Sequence, residues 1–102
     1  MNSFTAIADP TRRQIVELLA RGPRSSSDIA SRFAVSPSAI SQHLKVLKTA
    51  KLVRVEVAAQ RRIYELDREG VDEISGWLDQ VRLFWADKLD ALEKEMRKGR
   101  KT

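Results

Sequence analysis

The sequence predicts a mainly α, α+β domain in which two short helices joined by a tight turn are followed by a two-stranded β-hairpin and a long closing helix. Three observations carry that reading. Helix-start signals and apolar residues three and four apart recur through residue 50. The apolar spacing then switches to alternation over residues 52–66. Helical spacing resumes at residue 67 and runs for nearly the rest of the chain.

Taken in order, residues 3–8 form a short, weak helix with Phe4 and Ile7 three apart. Asp9-Pro10 opens a second helix, because Asp accepts orphan backbone N–H groups and proline is preorganised for the first helical position. Ile15, Leu18 and Leu19, with Val16, make its apolar face, and Gly22-Pro23 stops it. Ser25 and Asp28 have capping-box spacing and start a short helix carrying Ile29, Ala30 and Phe33. Ser36-Pro37 repeats the cap-plus-proline device, and Ile40, Leu44 and Leu47 give the next helix its inner face as far as about Ala50. Only Ala34-Val35-Ser36 separates these two helices, which is the outline of a helix-turn-helix over about residues 26–50.

Leu52, Val53, Val55 and Val57 alternate with Arg54 and Glu56, and Ile63-Tyr64-Glu65-Leu66 is the return strand. Ala58-Ala59-Gln60 connects them, so residues 52–66 form a hairpin directly after the helix-turn-helix, a wing. From Asp67 a stripe of Val71, Ile74, Leu78, Val81, Trp85, Leu89, Leu92 and Met96 marks a helix over about 67–96, with a basic tail at 97–102. A chain of 102 residues has room for one core, here a single winged helix-turn-helix domain over 1–92. It cannot bury the whole stripe internally, so Leu78, Val81, Trp85, Leu89 and Leu92 are expected to pack against a second copy.

Composition bounds the function. With 42% hydrophobic and 32% charged residues, the chain reads as a soluble globular protein rather than a disordered or membrane one. No apolar run approaches the roughly 18 residues of a membrane span, and no secretory signal opens the chain, so a cytoplasmic location is expected. The absence of cysteine excludes disulfides and thiolate metal ligands. The net charge of +5 suits a polyanionic partner, and its distribution says more. Residues 1–50 carry seven Lys/Arg against three Asp/Glu, and residues 51–66 four against two. Residues 67–93 reverse this, with three against eight.

A helix that reads duplex DNA needs one apolar face to hold it and an opposite face of small, hydrogen-bonding side chains. In residues 37–50 the outer face falls to Ser38, Ser41, Gln42 and Lys45. Gln42 can pair with adenine N6 and N7, Lys45 can take a phosphate, and the free N–H groups after Ser36 also favour one. The same residues would serve equally as an ordinary solvated helix face. Gln60, Arg61 and Arg62 at the hairpin tip are placed for phosphate or the minor groove, although exposed arginines at a turn are common without function. Arg12 and Arg13 read either as phosphate contacts or as surface ion pairs. His43, the one histidine, could touch a phosphate or hold the helices together; DNA proximity is the favoured reading. No catalytic pair, metal set, phosphate-cradling loop or cofactor motif is visible, so an enzyme is not expected. A degenerate winged helix whose long helix is a protein-interaction module is the alternative of a different class.

The stretches Ile7-Ala8-Asp9-Pro10-Thr11-Arg12-Arg13, residues Ser36-Pro37-Ser38-Ala39-Ile40-Ser41-Gln42-His43-Leu44-Lys45-Val46-Leu47, and Arg62-Ile63-Tyr64-Glu65-Leu66 resemble those of the ArsR/SmtB family of bacterial repressors. The resemblance covers about residues 4–92. It implies a homodimer paired through the first and last helices, which brings Phe4 and Ile7 into the expected interface. It also implies repression of the chain's own or a neighbouring operon through an inverted-repeat operator, with Ser38, Ser41, Gln42 and His43 at DNA-facing positions. Metal-sensing members of the family use a cysteine pair before the turn, or His and carboxylate ligands on the last helix; here there is no cysteine and the last helix has no histidine, so no metal site is expected. A small-molecule inducer in an apolar pocket between the last helix and the core is left open, because dimer packing explains the same residues. Family members often carry Gly at the wing tip where Gln60 stands, and a longer or differently shaped turn is expected there.

Overall fold

Each helix of the computed structural model, which describes residues 2–100, begins where a side chain satisfies an orphan backbone donor. Helix α1 (Ser3–Ala6) is capped by Asn2, whose Oδ1 accepts from Thr5 N at 2.8 Å. Asp9 caps α2 (Pro10–Leu19) through a 3.0 Å bond from Arg12 N. Ser25 caps α3 (Ser26–Ser31) and Ser36 caps α4 (Pro37–Thr49), each hydroxyl accepting from the third residue on at 3.1 Å. Helix α5 (Arg68–Arg100) starts after Asp67, whose Oδ1 accepts from Glu69 N. The cap signals of the sequence therefore mark real helix starts.

The sheet differs from expectation. Its order is β1 (Arg24–Ser25), β3 (Arg61–Leu66), β2 (Val53–Ala58), antiparallel throughout, so the hairpin gains a third, two-residue strand between α2 and α3. Arg24 pairs with Tyr64 and Ser25 with Ile63. Two residues are too few to show alternation, and the strand takes its register from the return strand of the wing. The hairpin turn is also tighter than expected. Ala58 pairs with Arg61, leaving a two-residue turn in which Ala59, not Gln60, takes positive φ (58°).

The core lies where α2, α3 and α4 meet the base of the sheet. Ile15, Ile29, Ile40, Leu47, Leu52 and Val53 are almost wholly buried there, and Tyr64 closes the sheet side. Helix α4 ends in a motif that fixes the next element. Lys51 N donates to Lys48 O and Leu52 N to Leu47 O, a Schellman arrangement with Lys51 in the left-handed conformation (φ 60°). The turn then receives the start of α5, since Asp67 N donates to Leu52 O at 2.8 Å and Gly70 N to Lys51 O at 2.9 Å.

Helix α5 has 33 residues and gives the chain its long axis, 71 Å against 27 and 23 Å across. Val71 and Ile74 pack on the core, while Leu78, Trp85, Leu89, Leu92 and Met96 are exposed and Val81 is half-buried. Helix α1 supports its first half: Ser3 Oγ donates to Glu73 Oε1 at 2.7 Å, and the Phe4 and Trp77 rings meet edge to face at 5.5 Å. The basic tail expected from residue 97 is helical as far as Arg100; Lys101 and Thr102 lie outside the described residues.

Candidate nucleic-acid interface

Burial of Ile40, Leu44 and Leu47 turns one side of α4 inward and leaves Ser38, Ser41, Gln42 and Lys45 exposed on the other. Neighbouring positions on a helix lie three and four apart, so these four side chains form one continuous outward face. Ser36 is exposed as well, and its hydroxyl is committed to capping α4 through Ala39 N.

The wing stands beside that face. Strand register opposes Val57 to Arg62 and Val55 to Tyr64, so period-two alternation turns these four side chains to one side of the hairpin. They line a groove of about 440 Å³ against α4, whose other wall includes Ser41, Gln42, Lys45 and Lys48. Arg61, one residue away, alternates to the opposite side. The two arginines, equivalent in the sequence reading, thus have different positions: Arg62 joins the α4 face and Arg61 points away from it. Arg61 and Gln60 are exposed at the tip. Lys48 was missed, although its position three residues beyond Lys45 was a readable signal.

His43 is not part of the outward face. It is half-buried, its Nδ1 lying 3.4 Å from an Arg12 guanidinium nitrogen and 3.9 Å from Asp9 Oδ2. Arg12 in turn donates from Nε to Ala6 O at 2.6 Å, and Arg13 donates from Nε to Ile7 O at 3.1 Å. Arg12 and His43 tie the α1–α2 turn to the inner shoulder of α4, the second of the two roles open to His43, while Arg13 bonds within the turn itself. The Arg12 backbone N–H bond holds the Asp9 carboxyl below its usual pKa, with smaller contributions from the Arg12 and His43 charges and partial desolvation opposing them.

Two ion-paired clusters brace the site without joining it. Asp28 on α3 accepts from Arg24 at 3.1 Å and Arg32 at 3.3 Å, and these bonds, that to Arg24 foremost, hold its carboxyl below the usual range. On the face of the hairpin turned away from α4, Arg54 bonds Glu65 at 2.6 Å, which raises the Arg54 pKa.

An outward polar helix face after a short turn, flanked by a basic wing, is the arrangement of a winged helix-turn-helix domain. The profile of the family described as bacterial regulatory protein, arsR family, matches residues 9–55, from the α2 cap to the first wing strand. The chain belongs to that family. It is 48% identical over 83 residues to the HTH-type transcriptional regulator Rv2034 of Mycobacterium tuberculosis, covering 81% of this chain and 75% of the relative. The transcriptional repressor SdpR of Bacillus subtilis is 38% identical over 76% of this chain and 86% of its own length. A crystal structure described as a possible transcriptional regulator for arsenical resistance superposes with a TM-score of 0.74 at 38% identity, over 93% of this chain and 96% of its own. The homodimeric winged helix-turn-helix DNA-binding domain Mb0332 of Mycobacterium bovis superposes with a TM-score of 0.66 at 29% identity, over 78% of this chain and 74% of its own.

Proposed function

We propose that this chain is a homodimeric repressor of its own or a neighbouring operon that reads an inverted-repeat operator. The observation that carries the reading is the continuous exposed face of α4 beside Arg62 of the wing. Helix α4 enters the major groove with Gln42 as the base reader, while Ser38 and Ser41 approach base edges or phosphates and Lys45, Lys48 and the α4 N-terminus meet phosphates. Arg62 holds the backbone or minor groove beside that helix, and Gln60 and Arg61 at the wing tip meet the flanking backbone. His43 supports α4 from behind. Two such faces related by a two-fold axis read half-sites about 34 Å apart or a small multiple of that distance. A small-molecule inducer is not needed for this reading, and no residue is assigned to one.

Selection of bound sequences from random duplex DNA tests the reading. An inverted repeat should emerge. Gln42→Ala should cost about 1–3 kcal/mol and relax preference at one base position, whereas Arg62→Ala should weaken all sequences alike and flatten the salt dependence. Selection without an inverted repeat would remove the operator reading. Equal losses from both substitutions on every sequence would remove Gln42 as a base reader.

A further inference from the structure

The groove between α4 and the wing sorts its chemistry by position. Ser41, Lys45 and Lys48, four and three apart, share one line along α4, and Arg62 stands on the wing side. Among the described residues, no carboxylate lines the groove. The hairpin keeps its acids elsewhere: alternation puts Glu56 and Glu65 on the face turned away from α4, where Glu65 is already paired with Arg54. Leu44, Val55, Val57 and Tyr64 supply apolar lining between the cations.

Val57 stands apart in that lining. Along the α4-facing side of β2, Val53 is buried, Val55 is half-buried and Val57 is 71% exposed. Among the described residues, Val35 is the one other exposed large hydrophobic side chain outside α5. Apolar surface left open amid three cations gains nothing in the free chain. A strand of DNA supplies what both kinds of lining lack, phosphates for the cations and deoxyribose carbons for the valine. We propose that this groove grips a single sugar-phosphate strand of the duplex, with Lys45, Lys48 and Arg62 on its phosphates and Val57 packed against its deoxyribose. This deepens the DNA-binding reading above and rests on it.

With α4 in the major groove and the wing beside it on the backbone, one strand passes between the two elements, which is the space the groove occupies. Val57 lies directly across the ladder from Arg62, and such pairs hold their β-carbons about 4.5–5.5 Å apart. A phosphate held by Arg62 therefore brings its neighbouring sugar against Val57. The contact also excludes water beside the cations, and charge pairs strengthen as the local dielectric falls. Sugar and phosphate carry no sequence information, so the grip sets the register of α4 on the duplex while Gln42 reads it. Strand propensity alone also favours valine at this position. The two explanations part at threonine, equally β-branched but with a hydroxyl in place of one methyl group.

The full-length chain is titrated with the operator duplex from the selection above and with an unrelated duplex, each over a salt series. Val57→Thr should weaken both about five- to tenfold at an unchanged salt slope, since it removes an apolar contact and no charge. Val57→Ile should keep the affinity that Val57→Thr loses. Lys48→Ala and Arg62→Ala should each flatten the slope by about one. Ethylation of single operator phosphates should block wild-type binding over a short run on one strand of each half-site. Lys48→Ala and Arg62→Ala should each relieve the block within that same run, a readout that does not depend on Val57. Wild-type protein that binds neither duplex overturns the DNA reading itself. Binding unchanged by Val57→Thr leaves that reading standing and reduces Val57 to a strand former. Relief on opposite strands overturns the single-strand grip.

Discussion

Replacing Gly70 by alanine tests the junction that joins the long helix to the DNA-reading helix. A β-carbon at Gly70 would lie 2.5 Å from the Lys51 carbonyl oxygen and 2.8 Å from its carbon, where an unstrained C···O contact is about 3.3 Å or longer. Lys51 cannot easily yield, because the Schellman turn holds it at φ 60°. The start of α5 must move instead, and Gly70 N and Asp67 N then lose good geometry to Lys51 O and Leu52 O. Overpacking costs about 1–3 kcal/mol, and each weakened hydrogen bond up to about 1 kcal/mol. Alanine returns about 1 kcal/mol of helix propensity. The net is a destabilisation of about 2 kcal/mol, read as a fall of roughly 10 °C in melting temperature. The control is Gly76→Ala on the same helix, where an added β-carbon meets nothing within 4 Å; it should stabilise by up to about 1 kcal/mol. Thermal melts followed by circular dichroism at equal protein concentration compare the three proteins, since dimer melting depends on concentration. A Gly70→Ala protein that melts at or above the wild type refutes the reasoning.

Three further outcomes are expected. His43→Ala should lower stability by about 1 kcal/mol and weaken DNA binding on all sequences alike, because it releases the shoulder of α4 from Arg12 and Asp9; a changed base preference at unchanged stability would make His43 a reader after all. Ala59→Gly should raise the melting temperature by a few degrees: a left-handed alanine costs about 1–2 kcal/mol, and the greater unfolded-state entropy of glycine takes back only about 0.5–1 kcal/mol. The wild type should lose stability as pH falls below about 4. Asp9 contributes to that loss because its folded pKa lies below the unfolded one, so its contribution is full above the unfolded value and vanishes as pH drops through the folded value. Asp9→Asn keeps a cap without the charge and should flatten that part of the acid transition in a pH series of melts.

The helices were legible because their starts are chemical. Asp9, Ser25 and Ser36 announce themselves by residue type, and each caps its helix with a side-chain oxygen. The wing was legible from alternation alone. Strand β1 was not, since two residues carry no period, and its pairing is decided by a strand almost forty residues away. The outward α4 face followed from helical phase, and that same phase sets His43 on the inner shoulder, beside Arg12 and Asp9 rather than beside Gln42. The difference between Arg61 and Arg62 needed the hairpin register, which depends on a turn of two residues rather than three. Gly70 could not be read at all: within a helix a glycine looks like a weakness until the carbonyl approaching it is known.

That carbonyl matters for how dimer and DNA are connected. The turn after α4 receives both the Asp67 and the Gly70 N–H groups, so α4 and α5 are joined by backbone hydrogen bonds at one point. Val71 and Ile74 then pack on the core next to it. Beyond Leu78 the arm stands clear of the rest of the chain, and contacts it makes in the proposed dimer reach α4 through this joint and through α1, which Ser3 and Phe4 hold against α5. Backbone hydrogen bonds of 2.8 and 2.9 Å around a conformationally fixed turn leave little freedom to swing. The distance between two reading helices in the dimer is therefore set by where the arms cross. A substitution that shifts the crossing, even one far from DNA, should change the preferred half-site spacing before it changes the preferred bases. Operator spacing selected by a variant whose apolar stripe on α5 is shifted along the helix is the measurement that separates this rigid coupling from a flexible joint, in which spacing would broaden rather than move.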